Sequence, residues 1–159
     1  MTDLAVRPLQ DCDLAAAAAL HRLSFPDDPW SEASLRDLMA TPGIAGWIVG
    51  VADRRTARPA PPQGFLLARL AADEAEILTL SMAPAQRRRG GSSRLLEIAL
   101  PSLAALGARR LFLEVAEDND AARAFYGHWG FEQVGLRHQY YERPGARPVS
   151  ALVMGRDLP

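Results

Sequence analysis

The chain has 159 residues, 48% of them hydrophobic and 23% charged, a composition that can build a buried core and excludes a disordered or fibrous protein. Its 18 basic and 19 acidic side chains nearly cancel, so no global field draws it to nucleic acid or to a membrane surface. The single cysteine, Cys12, excludes an intrachain disulfide and a polythiolate zinc site, and no run of about 18 apolar residues is present to span a bilayer. The length fits one domain over residues 1–159; Met1 to Leu9 lacks a signal-peptide pattern, and the expected compartment is the cytoplasm.

Leu4 to Arg7 is extended, and Asp11 is placed to cap a helix through Leu14, the alanines at 15–19, Leu20 and Leu23. Phe25-Pro26-Asp27-Asp28-Pro29-Trp30 breaks that helix, Ser31 caps a second one through Leu35 and Leu38, and Thr41-Pro42-Gly43 ends it. Ile44 to Ala52 and Gly64 to Ala71 form a strand hairpin across a polar, proline-rich connection, Asp53 to Pro62, which is expected to be mobile.

Glu76 to Met82 is a strand, followed by Ala83-Pro84, a basic run, Gly90-Gly91 and a helix through Leu95 to Leu106. Pro101 should kink that helix at a cost of about 3 kcal/mol. Gly107 caps it, and Leu111 to Val115 is a strand that must run parallel to Glu76 to Met82, because a helix joins them. A last helix, Asn119 to His128, leads through Gly130 to strands at Phe131 to Tyr141 and Val149 to Asp157, with Pro144-Gly145 in the turn.

The segment from Met82 to Leu96 is the most informative. Glycines let the backbone approach a ligand, the first amides of the following helix point outward unpaired, and Arg87, Arg88 and Arg89 add positive charge, which suits a pyrophosphate. The plainer reading is a helix start beside a solvated basic run. A Walker loop is disfavoured because no Gly-Lys-Ser/Thr follows, and a dinucleotide fingerprint because the glycine pattern differs.

Glu114 stands in Leu-Phe-Leu-Glu-Val, where a buried parallel strand is normally apolar. It is either a carboxylate of raised pKa that accepts a proton, or one that points to an edge or pairs with an arginine. Tyr126, beside Phe125, reads as a packed aromatic or as an acid, and Asn119 as a helix cap or a ligand. His21, His128 and His138 have no metal spacing, so no metal is expected, and Cys12 is not placed as a nucleophile.

Arg87-Arg88-Arg89-Gly90-Gly91-Ser92 resembles the Arg/Gln-x-x-Gly-x-Gly/Ala signature of the GNAT superfamily of N-acetyltransferases. The downstream Leu-Glu-Val, Asn119, Ala121, Ala122, Phe125-Tyr126 and Gly130-Phe131 resemble its second half, so the likeness runs from about Glu76 to Phe131. The early Phe25 to Ser31 segment and the tail Arg137-His138-Gln139-Tyr140-Tyr141 are similar to the bacterial ribosomal-protein N-alanine acetyltransferases. In two places the chain departs from the pattern. Ser92 stands where the family usually has Gly or Ala, and Ser150 precedes Ala151 where the ribosomal subgroup often has an acidic residue.

The resemblance implies an α/β fold of the α+β type: a central mixed, mostly antiparallel sheet with one splayed parallel strand pair, flanked by helices. It implies acetyl-CoA as cosubstrate, with Leu80, Ser81 and Met82 bonding the pantetheine arm by their backbone. Arg87, Arg88, Arg89, Gly90, Gly91, Ser92 and Ser93 would hold the diphosphate, and Asn119 the pantetheine side. Glu114 would act as base through a water, Tyr126 as acid toward the departing thiolate, and Trp30, Tyr140 and Tyr141 as acceptor contacts. Trp30 also has a purely structural reading, as a staple onto Leu35. The implied acceptor is a protein N-terminus, as in a ribosomal protein, with no nucleic acid or membrane partner. The alternatives are a small-molecule amine or lysine acceptor, and a non-catalytic acetyl-CoA-binding module.

Overall fold

The computed structural model describes residues 3–53, 55–56 and 61–159. Seven strands, β1 (Leu4–Pro8), β2 (Ile44–Val51), β3 (Pro62–Ala71), β4 (Glu74–Met82), β5 (Arg110–Ala116), β6 (Glu132–Tyr141) and β7 (Val149–Asp157), form one sheet in the order β1-β2-β3-β4-β5-β7-β6. Four helices, α1 (Leu14–Ser24), α2 (Glu32–Ala40), α3 (Gly91–Ala105) and α4 (Asp120–His128), flank it. Neighbouring strands are antiparallel except β4 and β5, which are parallel as the intervening helix requires. The architecture is the mixed, mostly antiparallel sheet with one parallel strand pair and flanking helices that the sequence led us to expect.

Successive strand residues point to opposite faces, so β2 and β3 each feed two cores. Trp47, Val49, Leu66, Ile77, Leu111, Leu113 and Val115 meet Leu95, Leu96 and Leu103 of α3 on one face. Ile48, Phe65 and Leu67 meet Leu14, Ala17 and Leu20 of α1 and Leu35 of α2 on the other. Each fully buried leucine contributes roughly 1.5–3 kcal/mol.

Local signals set most helix ends. The Ser31 hydroxyl accepts from the Ser34 amide at 3.0 Å and starts α2. Gly107, at φ 104°, ends α3 in a Schellman turn, with its amide on Ala104 O and the Ala108 amide on Leu103 O, both at 3.0 Å. The start of α1 differs from expectation. Asp11 lies in a short 3-10 turn and caps nothing, while Asp13 accepts from the Gln10 amide at 2.8 Å and grips Arg7 through two bonds of 2.7 Å. The Arg7 guanidinium holds the Asp13 carboxyl below its usual range. Helix α3 begins at Gly91, a turn earlier than its apolar run, and passes unbroken through Pro101, which lies on its exposed side. The connection from Asp53 to Pro62 was expected to move; its residues 54 and 57–60 lie outside the described residues.

The parallel pair comes apart after three residues. Glu74, Ala75 and Glu76 pair with Arg110, Leu111 and Phe112, and beyond them β4 continues to Met82 and β5 to Ala116 unpaired with each other. A bulge in β4 coincides with the parting: Ala68 pairs with Ile77 but Leu67 with Thr79, which leaves Leu78 as an extra residue that bends the strand.

Candidate active site

The open end of this gap meets the first turn of α3, and Met82 joins the two. A Cβ on Gly64 would lie 2.1 Å from Met82 Sδ, and one on Gly91 2.4 Å from Met82 Cε, so both glycines make room for this one side chain. The missing side chain of Gly91 therefore serves helix-to-sheet packing. Gly90 is different: at φ 86° it turns left-handed and faces open space, and Arg88 before it is left-handed too, at φ 60°. No side chain caps α3, and among the described residues the amides of Gly91, Ser92 and Ser93 have no partner. Arg88 and Arg89 are exposed without an ion pair there, whereas Arg87 reaches the Ser24 hydroxyl at 3.5 Å. Unpaired amides, a helix N-terminus and two free guanidiniums fit a diphosphate.

Leu80, Ser81 and Met82 line the gap with backbone edges that β5 does not pair, so an extended ligand could bond there like an added strand. Their side chains are committed elsewhere: Ser81 Oγ lies 3.4 Å from Thr79 Oγ1 in the buried layer, and Met82 packs as described.

At the closed end of the gap, Glu114 projects opposite to Leu113 and Val115, away from the α3 core. It lines an open groove of about 350 Å³ with Glu74, Glu76, Phe112, Arg137 and Val153. Its carboxylate is 18% exposed and ion-paired to Arg137 of β6, Nε to Oε1 at 2.9 Å, and no other described group bonds it. The arginine partner that the sequence allowed for is thus present. Tyr140 and Tyr141 lie on the same strand, edge to face at 5.2 Å. Tyr140 is half exposed under the Arg137 guanidinium, at 5.1 Å. Tyr141 is half-buried, and burial, followed by the negative Glu114, pushes its phenol up.

Tyr126 belongs to the opposite face. Its ring meets Phe125 at 5.1 Å and Phe131 at 5.5 Å, it packs on the α3 core, and burial raises its phenol well above the ordinary value. Its hydroxyl has no hydrogen-bond partner among the described residues. Glu114 and Tyr126 thus belong to opposite faces of the sheet. Asn119 caps α4, its Oδ1 accepting from the Ala122 amide at 3.1 Å, which leaves the side-chain amide free to donate. Trp30 packs on the cluster containing Leu35 and stacks on His21. Arg137 and His21 are the site neighbours that sequence reasoning did not single out as site residues. Arg137 is tied to Glu114 by a tertiary contact.

Residues 14–131 match the acetyltransferase (GNAT) family. Over 143 residues the chain is 36% identical to the N-alpha-acetyltransferase RimI of Mycobacterium tuberculosis, covering 86% of this chain and 80% of that one. Over 90 residues it is 32% identical to the ribosomal protein bS18-alanine N-acetyltransferase of Haemophilus ducreyi, covering 57% of this chain and 62% of the relative. The fold matches the crystal structure of the ribosomal-protein-S18-alanine N-acetyltransferase from Escherichia coli with a TM-score of 0.83 at 24% identity, over 98% of this chain and 94% of that one. It also matches Arabidopsis thaliana NAA60 in complex with acetyl-CoA, with a TM-score of 0.80 at 20% identity over 98% of both chains. No helix among the described residues is long and apolar enough to cross a membrane. With the splayed strands, the open helix N-terminus and these relatives together, the chain belongs to the GNAT family of N-acetyltransferases.

Proposed function

We propose that the chain transfers acetyl from acetyl-CoA to the N-terminal α-amine of a protein, of the ribosomal-protein-alanine type, with residues 1–159 acting as one catalytic domain in the cytoplasm. The observation that carries this reading is the gap between β4 and β5: its open end adjoins the unpartnered amides of α3, and its closed end adjoins the groove that contains Glu114. The likeness to the RimI protein over most of both chains supports the acceptor class.

Bound acetyl-CoA supplies an acetyl thioester. The amides of Gly91, Ser92 and Ser93, with Arg88 and Arg89 and the Arg87 and Gly90 that shape the turn, hold its diphosphate. The backbone of Leu80, Ser81 and Met82 aligns the extended arm, and the Asn119 side-chain amide donates to its flank. Glu114 takes the first proton of the acceptor ammonium through a water, and the freed amine bonds the thioester carbonyl carbon. The C–S bond breaks as the Tyr126 hydroxyl gives its proton to the leaving sulfur, and the second proton shed by the nitrogen restores the Tyr126 hydroxyl. Trp30, Tyr140 and Tyr141 border the acceptor. An α-amine, with pKa about 7.7–8.0, needs far less help to lose its proton than a lysine at about 10.4, so one modest base suffices. Attack is direct: Cys12 lies exposed in the turn before α1 and forms no acyl-enzyme.

Mass spectrometry of protein N-termini from cells with and without the enzyme tests the reading. Loss of acetyl groups from a ribosomal protein N-terminus is the expected result. Unchanged N-termini together with robust turnover of free lysine or polyamines would replace it with the small-amine or lysine alternative, and acetyl-CoA binding without turnover on any amine would leave a non-catalytic module.

A further inference from the structure

Arg137 lies two strands away from Glu114, with β7 between them. In register, Glu114 faces Val153, and Arg137 faces Ala151, which is fully buried, so the guanidinium reaches diagonally across a small residue to the carboxylate. The reach is held from behind by a distortion of β6. Arg137 pairs with Ala151 and Tyr141 with Val149, so four steps on β6 oppose two on β7, and the excess is taken up by a bulge with Gln139 at φ 51°. The Ser150 hydroxyl accepts from the Gln139 amide at 3.2 Å and fixes the bulge, which folds the Tyr140 ring against the guanidinium.

From this geometry we propose that Arg137 is a positioning residue that acts through Glu114. The proposal rests on the reading of Glu114 as base. A carboxylate this little exposed needs a nearby countercharge to stay where it is, and among the described residues Arg137 is the one cation in contact with it. Because the ion pair closes on Oε1 and no other described group bonds the carboxylate, Glu114 keeps lone pairs for a water or the acceptor amine. The Tyr140 ring and the Ser150-braced bulge fix the guanidinium, the guanidinium fixes the carboxylate, and the carboxylate handles the proton. This is the base-and-orienter arrangement of an activated site. Tyr140 therefore contributes through Arg137 as well as at the acceptor.

Steady-state kinetics on Arg137→Gln, Arg137→Lys, Glu114→Gln and the double variant Arg137→Gln/Glu114→Gln test it, with thermal unfolding to show that each is folded. The proposal expects Arg137→Gln to lower kcat roughly tenfold or more with the KM for acetyl-CoA within about twofold of the parent. Arg137→Lys, which keeps the charge and the fold, should recover part of the loss. In the Glu114→Gln background, removing Arg137 should cost nothing further, because the residue through which it acts is already gone. Losses that multiply in the double variant, or a Gln variant whose acetyl-CoA KM rises as much as its kcat falls, would overturn it. If Glu114→Gln alone keeps full kcat, the base reading fails first and this proposal falls with it.

Discussion

The backbone amide of Trp30 donates to Nδ1 of His21 at 3.0 Å, and the indole and imidazole stack with centroids 4.5 Å apart at 15°. His21 is buried in the last turn of α1, and Phe25 closes on it at 4.7 Å. One imidazole thus pins the whole connection from α1 to α2. It can accept at Nδ1 only while that nitrogen carries no proton.

Burial holds the His21 pKa below its ordinary value, opposed in part by Asp28. As pH falls below about 6.5 the unfolded chain takes up the proton first, so this stabilisation is complete above that pH and is lost progressively toward the lower folded value. Thermal midpoints measured from about pH 8 down to about pH 5 should therefore fall more steeply for the parent than for His21→Gln. Parallel curves would show that the imidazole is not the titrating pin.

The two glycines around Met82 make unequal demands. A Cβ on Gly64 would also lie 2.7 Å from the Ser81 carbonyl oxygen, which is backbone and cannot swing aside, whereas on Gly91 the closest clash is with the flexible end of Met82. Gly64→Ala should cost about 1–3 kcal/mol by denaturant unfolding, and Gly91→Ala less. Adding Met82→Ala should relieve the Gly91→Ala penalty and leave most of the Gly64→Ala penalty in place.

These contacts show what a sequence carries and what it does not. The Ser31 cap, the Gly107 turn and the parallel placement of β4 and β5 follow from neighbours a few residues apart or from a single connection, and all were legible. Asp13 was not, because its partner Arg7 sits on β1 and becomes a neighbour only when α1 docks on the sheet. The bulges at Leu78 and Gln139 exist only relative to a partner strand. The pairing of Glu114 with Arg137 was open for the same reason: β7, the last strand in the chain, inserts between β5 and β6 and brings them across it.

The start of α3 predicts how coenzyme binding divides among the three arginines. Among the described residues Arg88 and Arg89 have no protein anion to leave, while Arg87 already touches Ser24. Arg88→Ala and Arg89→Ala should each weaken acetyl-CoA binding by about 1 kcal/mol in calorimetric titration, with an effect that shrinks as salt is raised. Arg87→Ala should do less. Gly90→Ala should weaken binding too, since a left-handed residue with a Cβ costs about 1–2 kcal/mol where nothing else crowds it.

The Tyr126 phenol sits against Phe125 and Phe131, and burial holds its pKa well above 10. It therefore stays protonated across the working range, as a donor to a leaving thiolate must. A thiol of pKa about 8.5 is a good enough leaving group that this donation assists the step without being its whole driving force. Tyr126→Phe keeps the packing and removes only the proton, so kcat should fall on the order of 10²-fold while acetyl-CoA affinity and the thermal midpoint barely move. The parent's pH profile of kcat should show no descending limb below about pH 10, because the tyrosine does not ionise there. A descending limb near pH 9 that disappears in Tyr126→Phe would mean that the hydroxyl ionises in the working enzyme. In that case a different group would have to protonate the sulfur.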